Sequence, residues 1–527
     1  MNVPLLVVDF IDRARNLYGN SLAVSCGDER LTYSRLAERA DRASAAFARL
    51  GVKSGDAVAY ISFNCHRLLE GYYAVPQMGA VLLPINIRLT PEDIAYILND
   101  SGASTAVVDR ALAGLLAPVR ARLTQLRTVI LMGGDPAAAS PLDGEDFESL
   151  LAGAPTTFAR PDLSEDDVAE LFYTSGTTAR PKGVMLTHRS LVLHALGGAL
   201  LLGCDDRTVQ LHSIPLFHVN GWGTPHSVTL TGGRHVMLPR FDPAQVLETI
   251  ERERITDAFF VPTMALALLA DPAFEKRDLS SLRRLMVGGA ASPPGLVRAL
   301  DERLPGCAVM CGYGLTETSP VLTVAMTKRG ATGSDDELRD KRTTAGIPIP
   351  GVRVEVMDDL LRILPHDGTS RGEIVARGNS VMAGYRGHAE ATDQVMIDGW
   401  FHTGDVGTID ADGYLRIVDR KKDIIVTGGE NVSSIEIEKV IYEHPSVAEC
   451  AVIAAPDAHW GEVPMAIVVR KRGMDVDEAA LIAHCKGKLA GFKVPHRFAF
   501  ADAPLPKGGT GKILKRELRE RYLNAAS

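Results

Sequence analysis

Residues 173–188 read YTSGTTARPKGVMLTH. Five small or hydroxylated residues, Thr174 to Thr178, run into Arg180, Pro181 and Lys182. The apolar segment DVAELFY (167–173) precedes this loop, and an apolar helical pattern is expected from Val184 onward. An apolar segment, a polar loop and then a helix is the unit from which α/β proteins are built. The same alternation recurs on both sides. Ser34 is placed to cap a helix whose apolar stripe is Leu36, Ala40, Ala43, Phe47 and Leu50, stopped by Gly51. AVAYISF (57–63), TAVVD (105–109), TVILMGG (128–134), TDAFFVP (256–262) and RLMVGGA (284–290) read as strands between helical stretches. An α/β fold with largely parallel sheets follows.

From about residue 350 the pattern shortens to VRVEVMD (352–358), GEIVARG (372–378) and GYLRIVD (413–419), which predicts a small antiparallel β region. The stretch DRKKDIIVTGGENVSSIEIEKVI (419–441) then opens a further unit with a helix after Ser434, two strands, a helix over 477–490 and a tail. That last part has the size of a small α+β domain. The expected boundaries are 1–421 for a large N-terminal domain and 422–527 for a small C-terminal one.

The whole chain sets limits on partners. At 527 residues it exceeds what one compact core supports. With 46% hydrophobic and 23% charged residues it has the composition of a globular protein. A formal net charge of -8 argues against broad nucleic-acid or anionic-membrane binding, so an anionic ligand must be met by local cations. The seven cysteines are scattered and odd in number, which fits a reducing cytoplasm better than a disulfide framework. MNVPLLVVDFIDRAR (1–15) lacks a signal peptide's basic flank and reads as a structural helix. The apolar run at 191–204 is too short to span a bilayer, and the closing NAAS is no lipidation or peroxisomal signal.

The loop itself suits a polyanion. Hydroxyls and backbone N–H groups can donate to phosphate oxygens, and Gly176 permits close approach. Arg180 and Lys182 add charge-assisted bonds, while Pro181 stiffens the cationic end. It is not a Walker loop, because Pro181 stands where the glycine before the lysine is required. An arbitrary loop of this composition is more often a solvated turn.

The full pattern YTSGTTARPKGV is much more specific, and it closely resembles the phosphate loop of adenylate-forming enzymes: acyl-CoA synthetases, peptide-synthetase adenylation domains and luciferases. Ala179 stands where that family usually has glycine. The resemblance continues in order along nearly the whole chain. GYGLTETS (312–319) is similar to the second nucleotide motif. There Gly312, Tyr313 and Gly314 would face the nucleotide, Thr316 a phosphate, and Glu317 would hold Mg²⁺ as a hard oxygen ligand. The resemblance assigns Asp405 and Arg420 to ribose and phosphate, Gly289 and Ala290 to the face of the adenine, and Lys422 to a hinge. In PLPKGGTGKILKREL (504–518) it makes Lys512 the lysine that neutralises charge during adenylation; Arg516 and Arg519 are expected merely to solvate the last helix. Gly428 and Gly429 of TGGEN (427–431) would line a tunnel for coenzyme A.

PLFHVNGWG (215–223) resembles the acid-pocket segment, giving His218, Asn220, Gly221 and Trp222 as substrate contacts, with Gly288, Gly312 and Leu315 beside them. His218 is given no general-base role, because a carboxylic acid is already ionised at neutral pH. Catalysis would fall to Lys512, Lys182, Thr316 and Glu317, and nucleotide binding also to Thr174, Ser175, Gly176, Thr177 and Thr178. The implied reaction joins a carboxylic acid to coenzyme A through an acyl-adenylate, with ATP and Mg²⁺, and a medium- to long-chain fatty acid is the first choice of acid. Aryl or short branched acids, a freestanding acyl-AMP ligase loading a carrier protein, a luciferase-like side activity and a nucleotide-binding module without turnover stay open. The expected partners are small molecules, with no nucleic acid and no transmembrane anchor; a homodimer also stays open.

Overall fold

The structure is a computed structural model that describes residues 3–174, 180–290, 295–457, 459–507 and 513–523. Runs rich in Val, Ile and Leu become strands buried on both faces, the habit of parallel sheets covered by helices. Ala57–Ile61 is buried throughout and lies between parallel neighbours, Val81–Pro84 and Thr105–Asp109. These strands belong to a sheet that, among the described residues, has eight strands and carries Val168–Thr174 next to Val81–Pro84. A second sheet of nine described strands has a parallel centre made of Leu22–Cys26, Arg234–Met237, Val209–His212, Asp257–Phe260, Arg284–Gly288 and Ala308–Gly314. Helices such as Tyr33–Arg49, His66–Ala74 and His188–Leu202 contribute to one continuous core with residues of both sheets.

The antiparallel region is present. Val352–Met357, Gly372–Gly378, Trp400–Ile409 and Leu415–Arg420 pair antiparallel in a sheet of five described strands. A smaller sheet follows, in which Val447–Asp457 and Gly461–Arg470 form a long antiparallel pair. Its strand Ile425–Thr427 and the helix Ser434–Tyr442 begin immediately after Leu415–Arg420. The chain thus has a large N-terminal part built on sheets and a smaller C-terminal one.

Three local expectations are corrected. The segment from Val184 is a strand, Lys182–Thr187, antiparallel to Val168–Thr174 and pairing Lys182 with Thr174; the helix starts only at His188. Val184 and Leu186 are buried while Met185 and Thr187 are half-buried, the two-residue alternation of a strand. Thr187 then caps the helix, its hydroxyl accepting from Ser190 N at 3.2 Å. The cap of Tyr33–Arg49 is Thr32, which accepts from Arg35 N at 3.3 Å, and not Ser34.

The third correction concerns Arg519. It does not simply solvate the last helix, Lys515–Leu523, but donates to Asp423 Oδ1 at 2.6 Å. Lys515, on the same helix, is half-buried and donates to Ser434 Oγ at 2.6 Å, with Glu438 at 2.7 Å. Ser434 in turn donates its hydroxyl to Asp419 Oδ2 at 2.7 Å. Lys507 and Ile513 form an antiparallel bridge. None of the seven cysteines forms a disulfide, and no helix among the described residues is long and apolar enough to cross a membrane.

Candidate active site

Thr174, Gly288 and Gly289, and Gly312, Tyr313 and Gly314 lie at the carboxyl ends of Val168–Thr174, Arg284–Gly288 and Ala308–Gly314, where open α/β sheets place their ligands. Strand pairing brings Asp405 opposite Arg420, with Arg420 Nε 3.3 Å from Asp405 Oδ1. Tyr313, at the end of Ala308–Gly314, donates its hydroxyl to Asp405 Oδ2 at 2.7 Å. Burial, with the Asp405 charge beside it, raises the Tyr313 hydroxyl well above its ordinary range, so it stays a donor. A carboxylate oriented in this way can accept from vicinal hydroxyls.

A second cluster lies within electrostatic range of the first. Glu317 sits in the 3₁₀ turn Thr316–Thr318 beside buried Thr316 and accepts from the Tyr385 hydroxyl at 2.9 Å. Lys182 Nζ lies 5.2 Å from the centre of the Tyr385 ring, a cation over an aromatic face. Tyr385 is held there because Gly384–Tyr385 pairs with Lys182–Thr187 and Arg386 N donates to Gly183 O at 2.8 Å. Burial pushes the Glu317 carboxyl above its ordinary range despite hydrogen bonds from its own backbone and Tyr385 and the charge of Arg420. A half-buried carboxylate with few donors fits a hard divalent cation. Among the described residues no group of three His, Cys, Asp or Glu could enclose a metal, so such an ion would take its other ligands from phosphate and water. Tyr385 was missed by sequence reasoning; the signal available was a tyrosine between glycines in AGYRG (383–387).

Glycines of the second motif have a structural reason of their own. A Cβ on Gly314 would lie 1.9 Å from Pro320 O, and one on Gly312 would lie 2.9 Å from Met286 Sδ. Gly289 and Ala290 are exposed, leaving a flat backbone face open.

The segment PLFHVNGWG, expected to meet the acid, has an unusual backbone. Val219, Asn220, Gly221, Trp222 and Gly223 all have positive φ, at 33°, 44°, 55°, 66° and 85°. For each non-glycine residue this costs about 1–2 kcal/mol, so neighbours must hold the turn. Trp222 is buried, 6.0 Å from Phe259 between ring centres, and lies so close to Gly288 and Gly289 that Cβ atoms there would meet its ring at 3.3 and 3.1 Å. Beside it is an apolar cavity of about 20 Å³, lined by residues that include Leu201, Trp222, Phe259, Met286, Val321 and Ile349. Asn220 and Gly221 are buried and do not line it; the Asn220 amide is engaged by Glu170 and by Gly223 N. Burial, with Arg88 adding to it, pushes the His218 imidazole down to about 4, so it is neutral near pH 7. Leu315 is half-buried at the head of the Thr316–Thr318 turn.

Gly428 and Gly429, with φ of 57° and 87°, form the two-residue tip of the hairpin between Ile425–Thr427 and Glu430–Val432. Positive φ at both positions is what such a turn needs, and a Cβ on Gly428 would strike the Trp460 ring at 2.8 Å. Lys422 is exposed between the strands Leu415–Arg420 and Ile425–Thr427. Thr174 ends its strand opposite Lys182. Ser175, Gly176, Thr177, Thr178 and Lys512 lie outside the described residues.

Residues 11–386 match the AMP-binding enzyme family, and residues 436–512 match the AMP-binding enzyme C-terminal domain. The chain is also 38% identical to a 3-methylmercaptopropionyl-CoA ligase of Ruegeria pomeroyi, over 99% of this chain and 98% of the relative. The chain belongs to the AMP-binding enzyme family, as an AMP-forming acyl-CoA ligase. The ligase is 39% identical to a long-chain-fatty-acid–CoA ligase of Thermus thermophilus, over 99% of this chain and 97% of the relative. Its fold matches that of an anthranilate CoA ligase in complex with anthranoyl-AMP with a TM-score of 0.89, at 28% identity and covering 100% and 99% of the two chains.

Proposed function

We propose that this ligase activates a carboxylic acid with an uncharged, apolar tail, a medium- to long-chain fatty acid first among them. The observation that supports this choice is the cavity beside Trp222, lined mostly by apolar side chains, with His194, Thr224 and Ser227 beside them and no Lys, Arg, Asp or Glu. A second reading, a compact aryl or short branched acid, is favoured by the size of that cavity, about 20 Å³, and by the flat faces of Trp222 and Phe259. A longer tail needs the Trp222 or Met286 side chain to move. The relatives themselves are named for methylmercaptopropionyl, long-chain fatty and anthranoyl acids.

In the proposed first step an acid oxygen attacks the α-phosphorus of ATP, a P–O bond forms, and the bond to pyrophosphate breaks. Charge concentrates on the phosphates, so stabilisation is electrostatic. Lys182, the loop donors Thr174 to Thr178, Thr316 and Lys512 supply it, each donor contributing about 3 kcal/mol. Glu317 would hold Mg²⁺, which supplies positive charge to the phosphate oxygens. Asp405 would take the ribose hydroxyls, Arg420 would sit at ribose and phosphate, and Tyr313, Gly289 and Ala290 would face the adenine. In the second step the coenzyme A sulfur attacks the acyl carbon and AMP leaves. We place the domain boundary at Lys421–Lys422, between Leu415–Arg420 and Ile425–Thr427, with Lys422 as the pivot and the Gly428–Gly429 tip toward the thiol's path.

Pyrophosphate release over acids from butyrate to palmitate, with benzoate and isovalerate beside them, tests this reading when run with and without coenzyme A. Free thiol is followed in parallel. Thiol loss that matches pyrophosphate and is fastest with medium or long chains is the expected result. Release fastest with benzoate or isovalerate would replace the fatty acid by the compact one. Release indifferent to coenzyme A would favour loading of a carrier protein.

A further inference from the structure

Resting on the ligase reading of this site, we propose that Glu170 is a positioning residue: its carboxylate clamps the left-handed turn Val219–Gly223 and, through Trp222, sets the size of acid the enzyme accepts. Glu170 lies within the strand Val168–Thr174 that runs into the phosphate loop, and it is fully buried. Its Oε2 accepts from Asn220 Nδ2 at 2.8 Å, and its Oε1 lies 2.5 Å from His226 Nε2. Asn220 passes the restraint along, because its Oδ1 accepts from Gly223 N at 2.7 Å and so closes the turn that carries Trp222.

The other side of the clamp is equally fixed. The His226 ring is met edge-on by Tyr72 and Tyr73, with centroids at 5.7 and 5.9 Å. Their hydroxyls donate to Leu216 O at 2.6 Å and Pro225 O at 3.1 Å, the two ends of the same segment. A carboxylate in an apolar interior is a costly filler, and an aliphatic side chain would pack there at lower cost. What an aliphatic residue cannot do is accept from Asn220. With Asn220 held, three L-residues stay in the left-handed region and the indole is pressed against Gly288 and Gly289, forming one wall of the cavity. Without the acceptor the turn is free to relax toward ordinary φ, and the indole leaves the wall.

The test compares Glu170→Ala, Glu170→Gln and Asn220→Ala with the wild type over the series of acids. Loss of a hydrogen bond to a charged group predicts a change of about tenfold or more in the ratio of kcat/KM for long and short acids. The change falls on the KM for the acid, and the KM for ATP stays within about threefold. Glu170→Gln keeps an oxygen acceptor for Asn220 and restores most of the wild-type ratio. If Glu170→Ala does not fold, Asn220→Ala, which leaves the Glu170–His226 contact, carries the same expectation. A second readout needs no turnover: with Trp400→Phe and Trp460→Phe, acrylamide quenching of Trp222 fluorescence increases in Glu170→Ala and returns to the wild-type value in Glu170→Gln. An unchanged acid ratio, acid and ATP KM values rising together, or unchanged Trp222 quenching would each overturn the proposal. A wild type that releases no pyrophosphate with any acid would instead defeat the ligase reading, and the quenching measurement would still decide the clamp.

Discussion

Replacing Tyr385 by Phe removes one oxygen and nothing else from the bridge between Lys182 and Glu317. The ring that faces Lys182 Nζ at 5.2 Å remains, while the 2.9 Å hydrogen bond to Glu317 Oε1 is lost. A hydrogen bond to a charged group contributes about 1.5–3 kcal/mol, which is about 10- to 150-fold in rate if it acts in the transition state. The direction with pH follows from Glu317. Burial already raises its carboxyl and the Tyr385 hydrogen bond lowers it, so removing the hydroxyl raises it further. A protonated Glu317 cannot hold a cation, so the defect of Tyr385→Phe should be largest at low pH and shrink as pH or Mg²⁺ concentration rises. Tyr385→Leu also removes the ring face and should cost a further factor that corresponds to about 0.5–2 kcal/mol, independent of Mg²⁺. Pyrophosphate release at saturating acid, measured over a grid of pH and Mg²⁺, reads both effects. A Tyr385→Phe defect of equal size across the grid would refute the chain from hydroxyl to carboxylate to cation, as would wild-type rates everywhere.

Other perturbations address other parts of the molecule. Lys512→Ala should abolish adenylate formation, measured as pyrophosphate release, yet spare thioester formation from supplied acyl-AMP; equal loss of both would refute that division of labour. Gly314→Ala should destabilise by about 1–3 kcal/mol or more, because the new methyl group meets Pro320 O at 1.9 Å; an unchanged thermal midpoint would contradict the packing. Burial pushes His66, His194 and His212 down to about 3 and His188 to about 4, so the folded chain leaves them neutral while the unfolded chain protonates them near 6.5. Their contribution is therefore complete above about pH 6.5 and is lost toward pH 4, at about 1.4 kcal/mol per histidine per pH unit. Urea midpoints should fall between pH 7 and 5; a flat profile would show that these rings are solvated.

The strands of the two large sheets were legible because parallel strands covered on both faces are written as short apolar runs, and TAVVD matches its observed bounds residue for residue, as GEIVARG does in the smaller antiparallel sheet. The Lys182–Thr187 strand was not, because glycine and lysine at its start hide the alternation of Val184 and Leu186 until their burial is seen. The residues of the candidate site were readable as motifs, but the contacts that orient them join distant segments. Tyr385 reaches Glu317 across 68 residues and Tyr313 reaches Asp405 across 92, separations at which local pattern carries no signal. Glu170 shows the same limit: in DVAELFY it reads as a polar interruption, and only the folded chain sets it against Asn220, 50 residues on.

Lys507 and Ile513 form a bridge and Lys515 is bonded to Ser434 and Glu438, so the described residues on either side of 508–512 are each tied to the small C-terminal part. The two flanks are therefore held by partners that lie 58 and more residues upstream, Glu449 for Lys507 and Ser434 for Lys515. A graft that exchanged the tail alone between two such ligases, without Asp419 and the start of the Ser434–Tyr442 helix, would carry Lys515 across and leave its partners behind.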